Sequence, residues 1–252
     1  MDGLEWKRTK YNKPVQQFLK FAEYLAAKTS DYLVSDSLGI QTFLEKKYNK
    51  KSTYIAYGAH PFTNPNEQIL EHYQVQKNNY NLIMARFEPE NNLEMVLEGV
   101  QLSTTETPIL VIGKHETNYG AYLKNKFKND ARIRFLGGIY NIHHLNNLRY
   151  YSNLYFHGHS VGGTNPSLLE AMASKALIVA HDNDFNKSIL KQNGFYFSTA
   201  FEVKTIVETI KKNDNLAQVE RNFEAIKTHF NWNKINGEYL SLFENCMAQG
   251  KK

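Results

Sequence analysis

The chain has 252 residues, 42% of them hydrophobic and 13% aromatic, enough for a large packed core in one domain or in one domain plus part of a second. No apolar run approaches the roughly 18–20 residues that a bilayer span requires, and the opening MDGLEWKRTKYNK lacks an apolar signal core. A formal net charge of +5 favours anionic partners, and the single cysteine, Cys246, excludes an internal disulfide or a cysteine-based metal cluster, which suits a reducing cytoplasm.

In chain order, residues 13–35 predict an amphipathic helix followed by a strand, YLVSD. A second helix and the strand TYIAYG (53–58) come next. KKYNKK (46–51) reads as a solvated helix end, and HPFTNPNEQ (60–68), with two of the six prolines, as a connector. Short apolar runs then alternate with helical patterns. NLIMARF (81–87), ILVIG (109–113), IRFLGG (133–138), LYFHG (154–158), LIVAHD (177–182) and FYFS (195–198) predict six strands. Strands separated by helical crossovers imply an α/β fold with a doubly wound parallel sheet covered on both faces. From about Phe201 onward only helices are expected.

Ligands of such sheets bind beyond the carboxyl ends of the strands. There lies HGHSVGGTNPSLLEAMA (157–173). Asn165 suits an N-cap and Pro166 the first helical position. Gly162 and Gly163 let the backbone approach a ligand. The N–H groups of Thr164, Ser167 and Leu168 are expected to be free at the positive end of the helix, a site matched to phosphate. Glu170, one turn in, suits the hydroxyls of a ribose. A glycine turn before an ordinary helix, with Glu170 as a solvated acid, accounts for the same residues without a ligand. Arg86, at the end of the first central strand on the same rim, shifts the balance towards a nucleotide diphosphate, because arginine binds phosphate oxygens bidentately.

Two other patterns invite a metal. Asp182 and Asp184 have D-x-D spacing, but Asp182–Asn183–Asp184 also makes a turn and helix cap. His157 and His159 flank Gly158 without an obvious carboxylate or cysteine to complete a ligand set, so polar contact with a sugar suits them better. No basic-aromatic repeat of the kind that binds nucleic acid is present.

DGLEWKR (2–8), ARFEPENN (85–92), IRFLGGIY (133–140), YFHGHSVGGTNPSLLEAMAS (155–174) and AHDNDFN (180–186) together resemble the GT-B glycosyltransferases of family 4, and within them the rhamnosyltransferase-like branch. The resemblance covers nearly the whole chain. It implies a Rossmann-like donor-binding domain over residues 59–252, the C-terminal half of a GT-B fold, preceded by a remnant of the acceptor-side domain over residues 1–58. It further implies retaining transfer, without a metal or other cofactor, from a nucleotide-sugar donor such as dTDP-rhamnose. The expected acceptor is a saccharide or lipid-linked saccharide for a surface glycan such as capsule or O-antigen.

By the same resemblance Glu170 holds the ribose. Gly162 stands where the family has a first glutamate, and Asn91 where it has a lysine beside Arg86. Asp2 is the candidate contact to the donor sugar. The implied setting is the cytoplasm, with peripheral contact at the membrane face. The short first unit suggests a truncated or split transferase completed by a separately encoded acceptor domain. The competing readings are a non-catalytic nucleotide-sugar-binding module and, more weakly, an epimerase or hydrolase of nucleotide sugars.

Overall fold

A computed structural model describes residues 4–8, 11–248 and 250. The six central runs form β3 (Asn81–Met84), β4 (Ile109–Ile112), β5 (Ile133–Gly137), β6 (Leu154–His157), β7 (Ile178–His181) and β8 (Phe195–Phe197). They lie in one parallel sheet in the order β5-β4-β3-β6-β7-β8. The fold is therefore the expected α/β doubly wound sheet. The order in which strands are added reverses at β3, whose neighbours are β4 on one side and β6 on the other. Crevices at such switch points are where open α/β sheets bind ligands.

Successive side chains of a strand point to opposite faces, and the core divides accordingly. Leu82, Met84, Leu110, Ile112 and Tyr155 belong to one cluster, which α6 (Ile142–Tyr151) and α7 (Pro166–Ala173) cover with Leu148, Leu168, Leu169 and Met172. Ile83, Ile109, Val111, Leu154 and Phe156 belong to the other. That face is covered by α4 (Leu93–Leu102), α5 (Asn118–Lys126) and α9 (Ala200–Thr209). Burial on both faces explains why these strands read as unbroken apolar runs and not as alternating ones.

The first unit contains α1 (Lys13–Thr29), β1 (Val34–Ser35), α2 (Leu38–Tyr48) and β2 (Thr53–Tyr54). Its two strands pair in parallel as a sheet of their own. Leu4, Ile40 and Leu44 form its small core, joined by Trp6, Phe43, Tyr48 and Phe185. Phe185 belongs to α8 (Asp184–Leu190), so this core reaches into the larger unit. The chain ends in α10 (Leu216–Thr228) and α11 (Trp232–Ala248). Ile235 and Trp232 of α11 pack with Ile55 and Ala56 just after β2, tying the end of the chain to its beginning.

Leu169 tests the role of the covering helices. It is fully buried in the cluster beneath α7, so Leu169→Ala is expected to cost about 2–5 kcal/mol in denaturant unfolding. A cost near zero would mean that α7 does not hold the sheet face.

Candidate functional site

Strands β3 and β6 end side by side, and a cleft of about 450 Å³ opens above them. Its wall on the β3 side is Met84, Ala85 and Arg86; on the β6 side it is His159 and the loop from Val161 to Ser167, with Glu170 below. Arg8 and Tyr57 close it from the first unit. Of the residues singled out in the sequence, Arg86, His159, Gly162, Gly163, Thr164, Asn165, Ser167 and Glu170 thus line one cavity.

The loop is held by the first unit. Thr164 donates its N–H to Asp36 Oδ2 at 2.9 Å and its hydroxyl to the Asp36 carbonyl at 2.5 Å. A Cβ on Gly163 would lie 2.2 Å from Asp36 Oδ2, so only glycine admits the carboxylate. Gly162, with φ of +144°, supplies the preceding turn. Asn165 caps α7, its Oδ1 accepting from Ser167 N–H and Ser167 Oγ, each at 2.9 Å. Upstream, Ser160 donates its N–H and hydroxyl to the Glu90 carbonyl, and Asn92 donates to the Gly158 carbonyl. Asn183 and Asn186 both donate to the His159 carbonyl at 3.1 Å.

This arrangement corrects several expectations. The N–H groups of Thr164, Ser167 and Leu168 are not free. Asp36 takes the first, the Asn165 side chain the second, and the Asn165 carbonyl the third at 3.0 Å. Leu168 is buried in the core and does not reach the cleft. Asn91 does not stand in for a phosphate-binding lysine. It is buried and donates its amide to the Arg86 carbonyl at 2.8 Å, bracing the backbone from which the arginine extends. His157 is 1% exposed and lies behind His159, outside the cleft lining. Asp2 lies outside the described residues. Asp182 pairs with Lys187 at 2.5 Å while Asn183 caps α8, which is the turn-and-cap arrangement. Among the described residues no group of three His, Cys, Asp or Glu side chains converges as a metal site.

Arg8, the last residue of DGLEWKR, lines the cleft although no motif in the sequence marks it. Its one local signal is a permanent charge a few residues after Asp2, the expected contact to the donor sugar. Asp36 had no such signal, because its partner is 128 residues away.

Glu170 has a partner of its own. The guanidinium of Arg149, 3% exposed, reaches it from α6 with Nη2 2.5 Å from Glu170 Oε2. A carboxylate has about four acceptor positions, and the Glu170 side chain is 41% exposed, so this pairing does not exhaust it. The imidazoles of His157 and His159 stack at 4.4 Å and 19°. Burial foremost, then the charges of His159 and Arg149, holds His157 well below its ordinary range. Burial, then Arg86 and Arg8, lowers His159 to about 4. Both rings are neutral near pH 7, which leaves the cleft's positive charge with the arginines.

Residues 66–224 match the family described as Glycosyl transferases group 1, and residues 1–60 match a Domain of unknown function (DUF1972). No curated protein matches the sequence. The fold is similar to the crystal structure of HepE from Anabaena in complex with UDP and glucose, with a TM-score of 0.79 at 16% identity, covering 90% of this chain and 66% of that one. It is also similar to sucrose-phosphate synthase from Thermosynechococcus elongatus, with a TM-score of 0.79 at 15% identity, covering 98% of this chain and 66% of the other. A glycosyltransferase from Rickettsia africae gives a TM-score of 0.74 at 17% identity, covering 90% and 66%. At these identities the likeness establishes the fold. The chain spans 66% of the length of each of these three structures. No helix among the described residues is long and apolar enough to cross a membrane.

Two predictions follow from these charges. Glu170→Ala strands a buried guanidinium and should destabilise the protein by about 1–3 kcal/mol, the exposed half of the pair being screened by water. Adding Arg149→Met should restore much of that loss in a double-mutant cycle; equal, additive losses would show that the two residues are not coupled.

The second concerns acid. Between the ordinary histidine value of 6.5 and about 4, the unfolded chain takes up a proton that folded His159 refuses. Stability is therefore full above pH 6.5 and falls as the pH drops towards 4, by about 3 kcal/mol from this residue. Melting temperatures between pH 7 and 4.5 should show the fall, and His159→Asn should shrink it. An identical slope in the variant would rule the histidine out as the cause.

Proposed function

Because the chain belongs to the glycosyl transferases of group 1, we propose that its cleft binds a nucleotide-sugar donor and that the protein transfers the sugar to an acceptor hydroxyl. The observation that carries this reading is the position of Arg86 and the glycine loop on one cavity at the β3–β6 switch point. The nucleoside ribose meets Glu170, which Arg149 holds in place. The diphosphate meets Arg86 and the N-terminal end of α7.

Cleaving the bond between sugar and phosphate leaves negative charge on the diphosphate and develops positive charge on the sugar ring. A fixed guanidinium and a helix N-terminus stabilise the first without rearranging as the charge forms. With the loop amides already engaged, the helix contributes through its field more than through direct N–H donors. His159, neutral and on the cleft wall, is suited to a hydrogen bond with the donor and not to a charge on it. Retention follows when the acceptor attacks from the face the leaving group occupies, with the departing phosphate taking the hydroxyl proton.

Likeness to the rhamnosyltransferase-like branch supports a deoxyhexose donor such as dTDP-rhamnose. HepE, with UDP and glucose bound, makes UDP-sugars the necessary comparison. A saccharide or lipid-linked saccharide is the matching acceptor, and the net positive charge suits work beside an anionic membrane surface.

Calorimetry with UDP and dTDP tests the donor site. At least one should bind below millimolar concentration, and Arg86→Ala should weaken it by about 1.5–3 kcal/mol, the range for hydrogen bonds to a charged group. Wild-type protein that binds neither at millimolar concentration overturns the reading. Transfer or donor hydrolysis by the chain would support the catalytic half of the reading over a module that only binds the donor.

A further inference from the structure

The geometry points to Arg8 as the second cation on the donor's diphosphate, reaching into the cleft from the first unit opposite Arg86. This rests on the nucleotide-sugar reading and adds a residue to it. A diphosphate carries more than one negative charge. On the β3–β6 side the cleft offers it the guanidinium of Arg86, since Asn91 is turned inward and the loop amides are engaged. Arg8 lines the same cleft, and its charge, like that of Arg86, acts on the His159 imidazole between the walls.

The position of Arg8 is built into the fold. Leu4 is buried against Ile40 and Leu44, and Trp6 donates its indole N–H to Glu23 of α1 at 2.9 Å. Leu4 precedes and Trp6 lies within a 3-10 turn, Glu5–Lys7, and Gln16 of α1 donates to the Arg8 carbonyl at 3.3 Å. Glu5 accepts from Arg8 Nε at 2.7 Å and so orients the guanidinium. A guanidinium has five N–H donors in a planar fork, and Nε uses one of them. The Arg8 side chain is only 16% exposed, which strengthens its field in the cleft relative to a surface charge. Two arginines on facing walls would grip the two phosphates of one donor, so donor binding would also fasten the first unit to the second.

The test uses the full chain and whichever of UDP and dTDP the wild type binds, alongside the parent nucleoside. Arg8→Ala should weaken diphosphate binding roughly 10- to 100-fold and leave nucleoside binding unchanged. Arg8→Lys, which keeps the charge and loses the fork, should fall between wild type and Arg8→Ala. The salt dependence of diphosphate binding should flatten in Arg8→Ala, a change that loss of packing alone would not produce. Diphosphate affinity within twofold of wild type in Arg8→Ala overturns the inference while leaving the donor site intact. If circular dichroism shows Arg8→Ala unfolded, Arg8→Lys decides in its place, and an affinity within twofold of wild type overturns it equally. Wild-type protein that binds no nucleoside diphosphate overturns both this and the donor reading.

Discussion

The buried carboxylate of Asp36 governs the candidate site more than any residue of the loop it touches. Eight residues, 158–165, connect β6 to α7 without regular structure, and such a segment has no conformation of its own to impose. Asp36 supplies one by accepting Thr164 N–H on its carboxylate and Thr164 Oγ on its carbonyl. The bond to the charged carboxylate contributes about 1.5–3 kcal/mol and the one to the neutral carbonyl about 0.5–1.5 kcal/mol, enough to offset the ordering of several loop residues in part. The first unit, small as it is, therefore sets the shape of a cavity that belongs mostly to the second.

The charges of the cleft form a consistent pattern. Arg149 is neutralised by Glu170 below the floor, and the two histidines are kept neutral by burial and by nearby guanidiniums. What remains positive in the lining of the cleft is Arg86 and Arg8. Among the described residues no carboxylate forms a salt bridge with Arg86, and Arg8 has only the partly exposed Glu5. Positive charge fixed in place in this way suits the proposed diphosphate, whose charge it would meet without rearranging.

The sheet was legible in the sequence because two-sided burial writes itself as uninterrupted apolar runs, and all six central strands lie where those runs occur. The cap of α7 was legible for a similar reason, since Asn165–Pro166 is a local signal with a local cause. The loop's hydrogen bonding was not. Whether the Thr164 N–H is free depends on Asp36, and no periodicity links positions so far apart. Asn91 misled for a different reason. Its place in the chain suggested a ligand contact, yet a short amide can turn back on its own turn, and it bonds to the Arg86 carbonyl. Arg8 ends the stretch DGLEWKR, but charge alone does not say which wall a side chain will join. Burial of Leu4 and Trp6 against α1 and α2 decides that.

The paired glycines show how tightly the two units are matched. Gly162 and Gly163 are neighbours, yet they are required for unlike reasons. Around Gly162 there is open space, and what demands glycine is its backbone angle. At Gly163 the demand is for room, because the Asp36 carboxylate occupies the place a side chain would take. A family glutamate at position 162 would project into the cleft; without it, the wall there is bare backbone. On the proposed reading, the sugar end of the donor would meet main chain and His159, and its phosphate end the arginines. Selectivity among sugars would then fall to shape and neutral hydrogen bonds, and affinity for the proposed nucleotide to charge.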